Sequence, residues 1–386
     1  MDPKNYHHSS AGKPVQHQNS YWYFLPNDLP PTLGWSPSLV LILAEAERNI
    51  GKLASLGTSP ISMNLLVHPF IRREAVVSTR IEGTRASLSD LYTYEAQQLS
   101  FLESNSDANE VHDYVQALAY GLERLKTLPI SLRLIRELHL RLMGNVRGEH
   151  LTPGKFRRSQ NWIGPDGCTL ENAPFVPPPV QAMMTSLNQL EVFMYKSSNL
   201  PALVRIALIH YQFEAIHPFL DGNGRIGRLL IILLLNAWEL LPQPLLYLSA
   251  YFEANRQEYY DRLLAVSQQG KWEDWLHFFL SGVSVQSLDS MQRISQMQTL
   301  YNAYAEQLNV ERASKRLIET LDVLFKRPIV TIRQVESALD VPYRSAARYV
   351  EKFVQLGILM EITGQSRNRI FRAEEILLAI EGSAKD

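Results

Sequence analysis

Apolar residues recur at three- and four-residue intervals along most of this chain of 386 residues, the spacing of helices that bury one face. From 36 to about 128 the pattern is helical, with a break predicted around 57–60. Inside that stretch, 69–82 keeps helical spacing and stops at Gly83, a residue suited to a helix C-terminus. Segments 107–126 and 131–143 read as two further helices. Between 154 and 179 the period changes. Trp162-Ile163-Gly164-Pro165-Asp166-Gly167 reads as a strand entering a turn, and Pro177-Pro178-Pro179 closes the segment, so a β-hairpin flap is predicted. Helices resume at about Val180. The helix over 201–216 runs directly into a glycine-rich turn, and the apolar run 229–235 follows that turn at once. Segments 251–268 and 271–284 complete the helical body.

The two ends differ from the middle. Residues 1–35 are rich in Pro, Asn and Gln, with aromatics at Tyr21, Trp22, Tyr23 and Phe24. They read as a mobile start and an extended arm whose aromatics dock on the body. The last seventy residues alternate short elements: an amphipathic helix over 314–325, a β-prone run Ile329-Val330-Thr331, and a helix opened by Thr331 with Gln334 at capping-box spacing. Asp340-Val341-Pro342 breaks that helix, and 343–356 forms the next. Runs 358–362 and 370–372 flank the polar turn Gly364-Gln365-Ser366-Arg367-Asn368. Helix, helix–turn–helix and two-stranded wing together predict a winged helix. The organisation expected is an arm over 1–35, a helical region over 36–128, a helical core over 129–290, and a helical linker with a winged-helix domain over 291–386.

Length favours several domains over one core. Hydrophobic content of 46% and charged content of 20% are ordinary for a globular protein. A formal net charge of -1 gives no global drive towards nucleic acid or an anionic membrane. The single cysteine, Cys168, excludes an intramolecular disulfide and a Cys-cluster zinc site, and fits a reducing compartment. The first twenty residues lack an apolar core segment, and 229–235 is too short to span a bilayer. A cytoplasmic protein without membrane contact is expected.

The chemistry concentrates in His217-Pro218-Phe219-Leu220-Asp221-Gly222-Asn223-Gly224-Arg225-Ile226-Gly227-Arg228. A glycine turn feeding a helix start presents backbone N–H groups to an anion. Gly222-Asn223-Gly224-Arg225-Ile226-Gly227 fits the dinucleotide spacing G-x-G-x-x-G, but a helical pattern precedes it where that fold needs a strand. No Gly-Lys-Ser/Thr follows, which removes a Walker loop. The plain alternative is a helix–turn–helix corner with solvated arginines. Arg225 and Arg228 share one helical face near the N-terminus, where positive charge opposes the helix dipole. An anion between them would resolve that conflict.

This stretch resembles, at every position, the signature of the Fic family, H-P-F-x-D/N-G-N-G-R-x-x-R. Segments 107–117, Gly154-Lys155-Phe156-Arg157 and Ile163-Gly164…Val176-Pro177-Pro178 resemble Fic surroundings as well, and the likeness covers roughly 20–290. It implies a mainly α, Fic-type helical bundle with a small β-hairpin flap, and a protein adenylyltransferase moving AMP from ATP to a hydroxyl of a target protein. The implied roles are His217 as base, Asp221 as ligand of Mg²⁺, and Asp221, Gly222, Asn223, Gly224, Arg225 and Arg228 as the ATP cradle. Tyr259 and Tyr260 resemble residues lining the nucleotide pocket. Gly224 stands where phosphotransferase relatives similar to Doc toxins carry lysine. Ser78-Thr79-Arg80-Ile81-Glu82-Gly83 resembles the family's inhibitory motif, S/T-x-x-x-E-G/N, which makes 69–83 the inhibitory helix and implies that Glu82 pairs with Arg228 and blocks the γ-phosphate.

The chemistry agrees with those roles. A histidine of ordinary pKa serves as a base at neutral pH, and magnesium binds one or two carboxylates plus substrate phosphates. The flap could receive the target as an added strand. His139 and His150 have no partner at metal-ligand spacing. Arg344, Arg348, Lys352, Arg367 and Arg369 equip the winged helix for phosphate contacts with DNA, diluted by Glu336, Asp340 and Glu351; a winged helix also serves as a protein-interaction or dimerisation domain, and that alternative stays open. The identity of the target protein, with the chain itself as one candidate, and a homodimer are left open. Two other readings remain: removal of AMP from a modified protein, and a nucleotide-sensing DNA-binding regulator.

Overall fold

The computed structural model describes all residues except 7–8, 19, 57–62, 98–105, 145–151, 166, 311–313 and 383–386. The break expected at 57–60 and His150 lie outside the described residues. In chain order the elements are β1 (Gly12–His17), β2 (Tyr21–Pro26), α1 (Pro37–Leu56), α2 (Met63–Ile81), α3 (Leu88–Gln97), α4 (Ser106–Arg124), α5 (Leu132–Leu142), α6 (Val180–Tyr195), α7 (Ala202–Ile216) and α8 (Asn223–Ala237). There follow α9 (Ser249–Ala254), α10 (Arg256–Gln269), α11 (Trp272–Val310), α12 (Lys315–Lys326), β3 (Ile329–Thr331), α13 (Ile332–Leu339), α14 (Tyr343–Gln355), β4 (Met360–Glu361), β5 (Ile370–Arg372) and α15 (Glu374–Glu381). The mainly helical class expected from the periodicity holds.

Packing divides the chain into two compact units, and their limits differ from the sequence boundaries. One comprises 1–52, 116–242 and 246–287; the other comprises 53–115, 243–245 and 288–386.

The first unit is built on α7 and α8. Both are apolar on nearly every face and buried along most of their length, as expected of central helices. The α5 and α6 helices pack against them. Gly227 faces α7 side chains: a Cβ there would crowd the Glu214 carboxylate and stand 3.2 Å from the buried His210 ring. Within the N-terminal arm, β1 and β2 form an antiparallel hairpin with Gly12 opposite Pro26 and His17 opposite Tyr21. Alternation along β2 turns Phe24 inward onto Phe175, with ring centroids 5.6 Å apart. The backbone N–H of Phe24 donates to Val176 O at 2.8 Å, which fastens the hairpin to the flap segment. The flap itself is narrower than a ladder. Among the described residues a single antiparallel bridge joins Ile163 and Phe175, because the prolines around it supply no N–H and interrupt strand pairing.

The second unit joins the front and back of the sequence. The α2 helix packs on α3, α12 and α15, and α3 packs on β3. A three-stranded antiparallel sheet has the order β3-β5-β4. Thr331 opens α13 with the expected capping box: its hydroxyl accepts from Gln334 N at 3.2 Å, and Gln334 Oε1 accepts from Thr331 N at 2.9 Å. Among the described residues no helix is long and apolar enough to cross a membrane.

Candidate active site

The α7 helix ends on His217, whose φ of 49° and ψ of 62° lie in the left-handed region. A non-glycine residue pays strain there, and such outliers cluster at functional sites. The chain then turns through 218–222 and re-enters a helix at Asn223. Gly222, at φ 78°, is the N-cap of α8 and no side chain caps that end, so the first turn keeps backbone N–H groups for an anion.

His217 Nδ1 lies 3.3 Å from Glu214 O. A carbonyl only accepts, so this contact places the proton on Nδ1 and leaves Nε2 as the basic nitrogen. Asp221 Oδ1 accepts from Gly222 N at 2.6 Å, and Oδ2 meets Arg225 Nη2 at 3.3 Å. The Asp221 side chain is 48% exposed, whereas Arg225 and Arg228 are buried. Burial excludes the picture of two solvated corner arginines. Both stand in the first turns of a helix whose start has no side-chain cap.

Asn223, expected in the ATP cradle, turns its side chain into the loop. It is buried, its Oδ1 accepts from Phe219 N at 2.8 Å, and its Nδ2 donates to Phe219 O at 2.9 Å. Its side chain therefore shapes the turn, and its backbone is the part available to phosphate. Tyr259 is also buried, with its ring stacked on Phe252 at 4.6 Å and its hydroxyl 2.8 Å from His210 Nε2. A ring so enclosed presents no face to a nucleotide, in contrast to the expectation for this position. Tyr260 is 39% exposed, with the Arg256 guanidinium 5.9 Å from its ring centroid.

Four residues that carried no assigned role in the sequence support this turn. His139 stacks on Phe219 at 3.7 Å with an interplanar angle of 3°. Its Nδ1 accepts from Gly154 N at 2.9 Å, so its Nε2 donates to Asp221 O at 3.0 Å. His210 donates through Nδ1 to Gly227 O at 3.2 Å and accepts the Tyr259 hydroxyl proton at Nε2. Arg157 and Asn161 donate to backbone carbonyls of the turn. Arg157 falls in the segment 154–157 that resembles Fic surroundings, but nothing local gave it, Asn161 or the two histidines a role, and the histidines stand at no ligand spacing.

Burial pushes the His139 ring down to about 4, and burial with the Arg228 charge pushes His210 down to about 3. Both rings are neutral in the folded protein above those values. As pH falls below 6.5 the unfolded chain takes up these protons first, so stability is complete above 6.5 and declines with acid. The expected loss is about 1.4 kcal/mol per pH unit for each ring. It continues down to the folded value of each ring, about 4 for His139 and about 3 for His210. Urea unfolding at pH 7 and pH 5 measures the loss, and a His139→Gln chain should show a shallower decline. Equal stability at the two pH values contradicts the neutral-ring arrangement.

Glu82 follows the end of α2 in the second unit, whereas the turn with Arg228 belongs to the first.

A buried helical hairpin, an imidazole at its strained corner and two buried arginines at a helix start without a side-chain cap form the candidate site. Residues 129–235 match the family model described as Fic/DOC family, and residues 41–123 match that described as Fic/DOC family N-terminal. The Protein adenylyltransferase Fic of Drosophila virilis is 32% identical over 162 residues, covering 41% of this chain and 31% of the relative. That of Drosophila melanogaster is 30% identical over 162 residues, with 41% and 31% covered. The chain thus spans 31% of the length of these curated relatives. A crystal structure of a Fic family protein from Desulfovibrio desulfuricans has a TM-score of 0.56 at 18% identity, over 89% of this chain and 98% of that one. A Fic domain containing signaling protein from Bacteroides thetaiotaomicron has a TM-score of 0.50 at 18% identity, over 65% and 94%. These two likenesses establish the shared fold.

Proposed function

We propose that this protein transfers AMP from ATP to a hydroxyl side chain of a protein. The observation that carries the proposal is His217, held at the corner with its Nδ1 proton directed to Glu214 O, one turn ahead of the uncapped α8 start. The target hydroxyl gives its proton to His217 Nε2 while its oxygen attacks the α-phosphorus. A new P–O bond forms, the bond to the β-phosphate oxygen breaks, and pyrophosphate leaves. Arg225, Arg228 and the first-turn N–H groups oppose negative charge on the phosphoryl oxygens as it develops. Tyr260, whose side chain reaches the surface, is assigned to the base; Tyr259 acts through His210 on the α8 backbone.

Asp221 fits a magnesium ligand. It is a half-exposed hard oxygen donor, and among the described residues no group of three or more His, Cys, Asp or Glu could hold a metal by protein alone. Magnesium with few protein ligands and several phosphate oxygens matches that donor set. When bound it would neutralise phosphate charge and favour departure of pyrophosphate.

Glu82 is assigned as the brake, in competition with the γ-phosphate for Arg228. Glu82→Gly is expected to raise self-modification severalfold in a radiolabelled ATP assay, and an unchanged rate removes the brake. Loss of AMP from a pre-adenylylated protein, abolished by the same substitution, would favour the reverse reaction. A reducing, cytoplasmic setting accords with a lone cysteine.

The C-terminal module is read as a winged helix that contacts duplex DNA. Arg344 and Arg348 on α14 and Arg367 in the wing are exposed, while Glu336 is engaged by Arg333 at 3.5 Å. Salt-sensitive retention on nonspecific duplex is expected of this face, and retention unaffected by salt contradicts it.

A further inference from the structure

Arg157 is fully buried, yet the partners of its guanidinium are carbonyl oxygens. It donates to His217 O at 3.0 Å, to Ser159 O at 3.1 Å and to Pro178 O, and its backbone N–H donates to Pro218 O at 2.9 Å. Burial lowers its pKa to about 10, so the charge persists at neutral pH. Asn161 adds Nδ2 bonds to Phe219 O at 2.9 Å and His217 O at 3.4 Å. Next to it, Gln160 Nε2 donates to Pro177 O at 2.9 Å, and Gln160 Oε1 accepts from Tyr21 of the N-terminal hairpin at 3.1 Å. One planar fork therefore ties the base of the flap to the backbone that sets the His217 ring. A buried cation is expensive where hydrophobic packing would serve, and a fork that meets several carbonyls in fixed directions is what a lysine cannot reproduce.

We propose that Arg157 is a positioning residue that couples the flap to His217, with Asn161 as its partner. The proposal rests on the reading of His217 as base for AMP transfer. The test uses the full chain carrying Glu82→Gly, with self-modification as readout and ATP–Mg²⁺ binding measured by calorimetry. Arg157→Lys and Asn161→Ala are expected to lower transfer, the former by about 10²-fold as for a misplaced catalytic group, with ATP affinity unchanged within twofold. Transfer unchanged in Arg157→Lys, or ATP affinity lost in proportion to transfer in both variants, overturns it. A Glu82→Gly parent that releases or transfers no AMP fails the underlying reading instead.

A second observation concerns α2, independently of Arg157. Arg73 on α2 pairs with Asp289 at 3.3 Å; Asp289 also holds Arg293 at 2.8 Å, and Arg293 donates to Ile380 O of α15 at 3.0 Å. Arg72 on α2 pairs with Glu95 of α3 at 3.0 Å, and Gln334 of α13 donates to Glu95 O at 3.1 Å. Together with the packing of α12 and α15, these bonds fix the helix that precedes Glu82 to the C-terminal module. We infer that this module sets the strength of the brake. Arg73→Met and Asp289→Asn are each expected to raise self-modification severalfold in the parent chain and to add nothing in Glu82→Gly. No rise in the parent, or the same rise in both backgrounds, overturns the inference. A Glu82→Gly chain no faster than the parent overturns the brake itself.

Discussion

Replacing His217 by alanine is expected to lower AMP transfer by about 10³-fold, within the range for loss of a positioned general base, while ATP binding is retained. The separation follows from where the residue lies. The groups assigned to phosphate are Arg225, Arg228 and the α8 backbone, all beyond the turn. His217 touches the turn through its backbone and Glu214 O through Nδ1. An alanine in place of His217 keeps that backbone and its bonds to Arg157 and Asn161. It loses the imidazole: the Nδ1 contact to Glu214 O and the Nε2 assigned to take the hydroxyl proton. Calorimetry with ATP–Mg²⁺ beside a single-turnover transfer assay reads the two effects separately. A variant that loses ATP affinity in step with transfer would assign His217 to binding.

The second large effect concerns Arg228. In the Glu82→Gly background, Arg228→Ala is expected to reduce transfer by about 10²–10³-fold, the scale seen when one donor to a developing oxyanion is removed. In the otherwise natural chain the same substitution also removes the partner assigned to Glu82. Release of the brake cannot restore activity there, because the phosphate contact is gone too. Arg228→Ala chains with and without Glu82→Gly should therefore be equally slow. A rise in activity in Arg228→Ala alone would show that the arginine serves only as an anchor for the brake.

The turn was legible because its residues are consecutive. Fixed glycines, a histidine and two arginines at helix-start spacing leave few alternative chemistries, and the helices around it follow from apolar periodicity. The Thr331–Gln334 capping box was equally readable, being local. What escaped is what tertiary packing decides. His139, Arg157 and Asn161 reach the turn from distant segments through backbone carbonyls, and carbonyl partners leave no trace in sequence. Tyr259 and Tyr260 are adjacent, and only burial separates a core ring from an open one. The N-terminal hairpin was hidden by its Gln, Asn and His content, which masks an alternation visible once Phe24 meets Phe175. The union of α2 with the C-terminal module joins segments more than two hundred residues apart, beyond the reach of any local pattern.

The most direct test of the central claim is intact-mass spectrometry of the Glu82→Gly chain after incubation with ATP and Mg²⁺, on itself and on added cell-lysate proteins. The account predicts a covalent gain of one AMP, with pyrophosphate released, that disappears when His217→Ala is added. Addition of a lone phosphate, or an AMP adduct that survives His217→Ala, would contradict it.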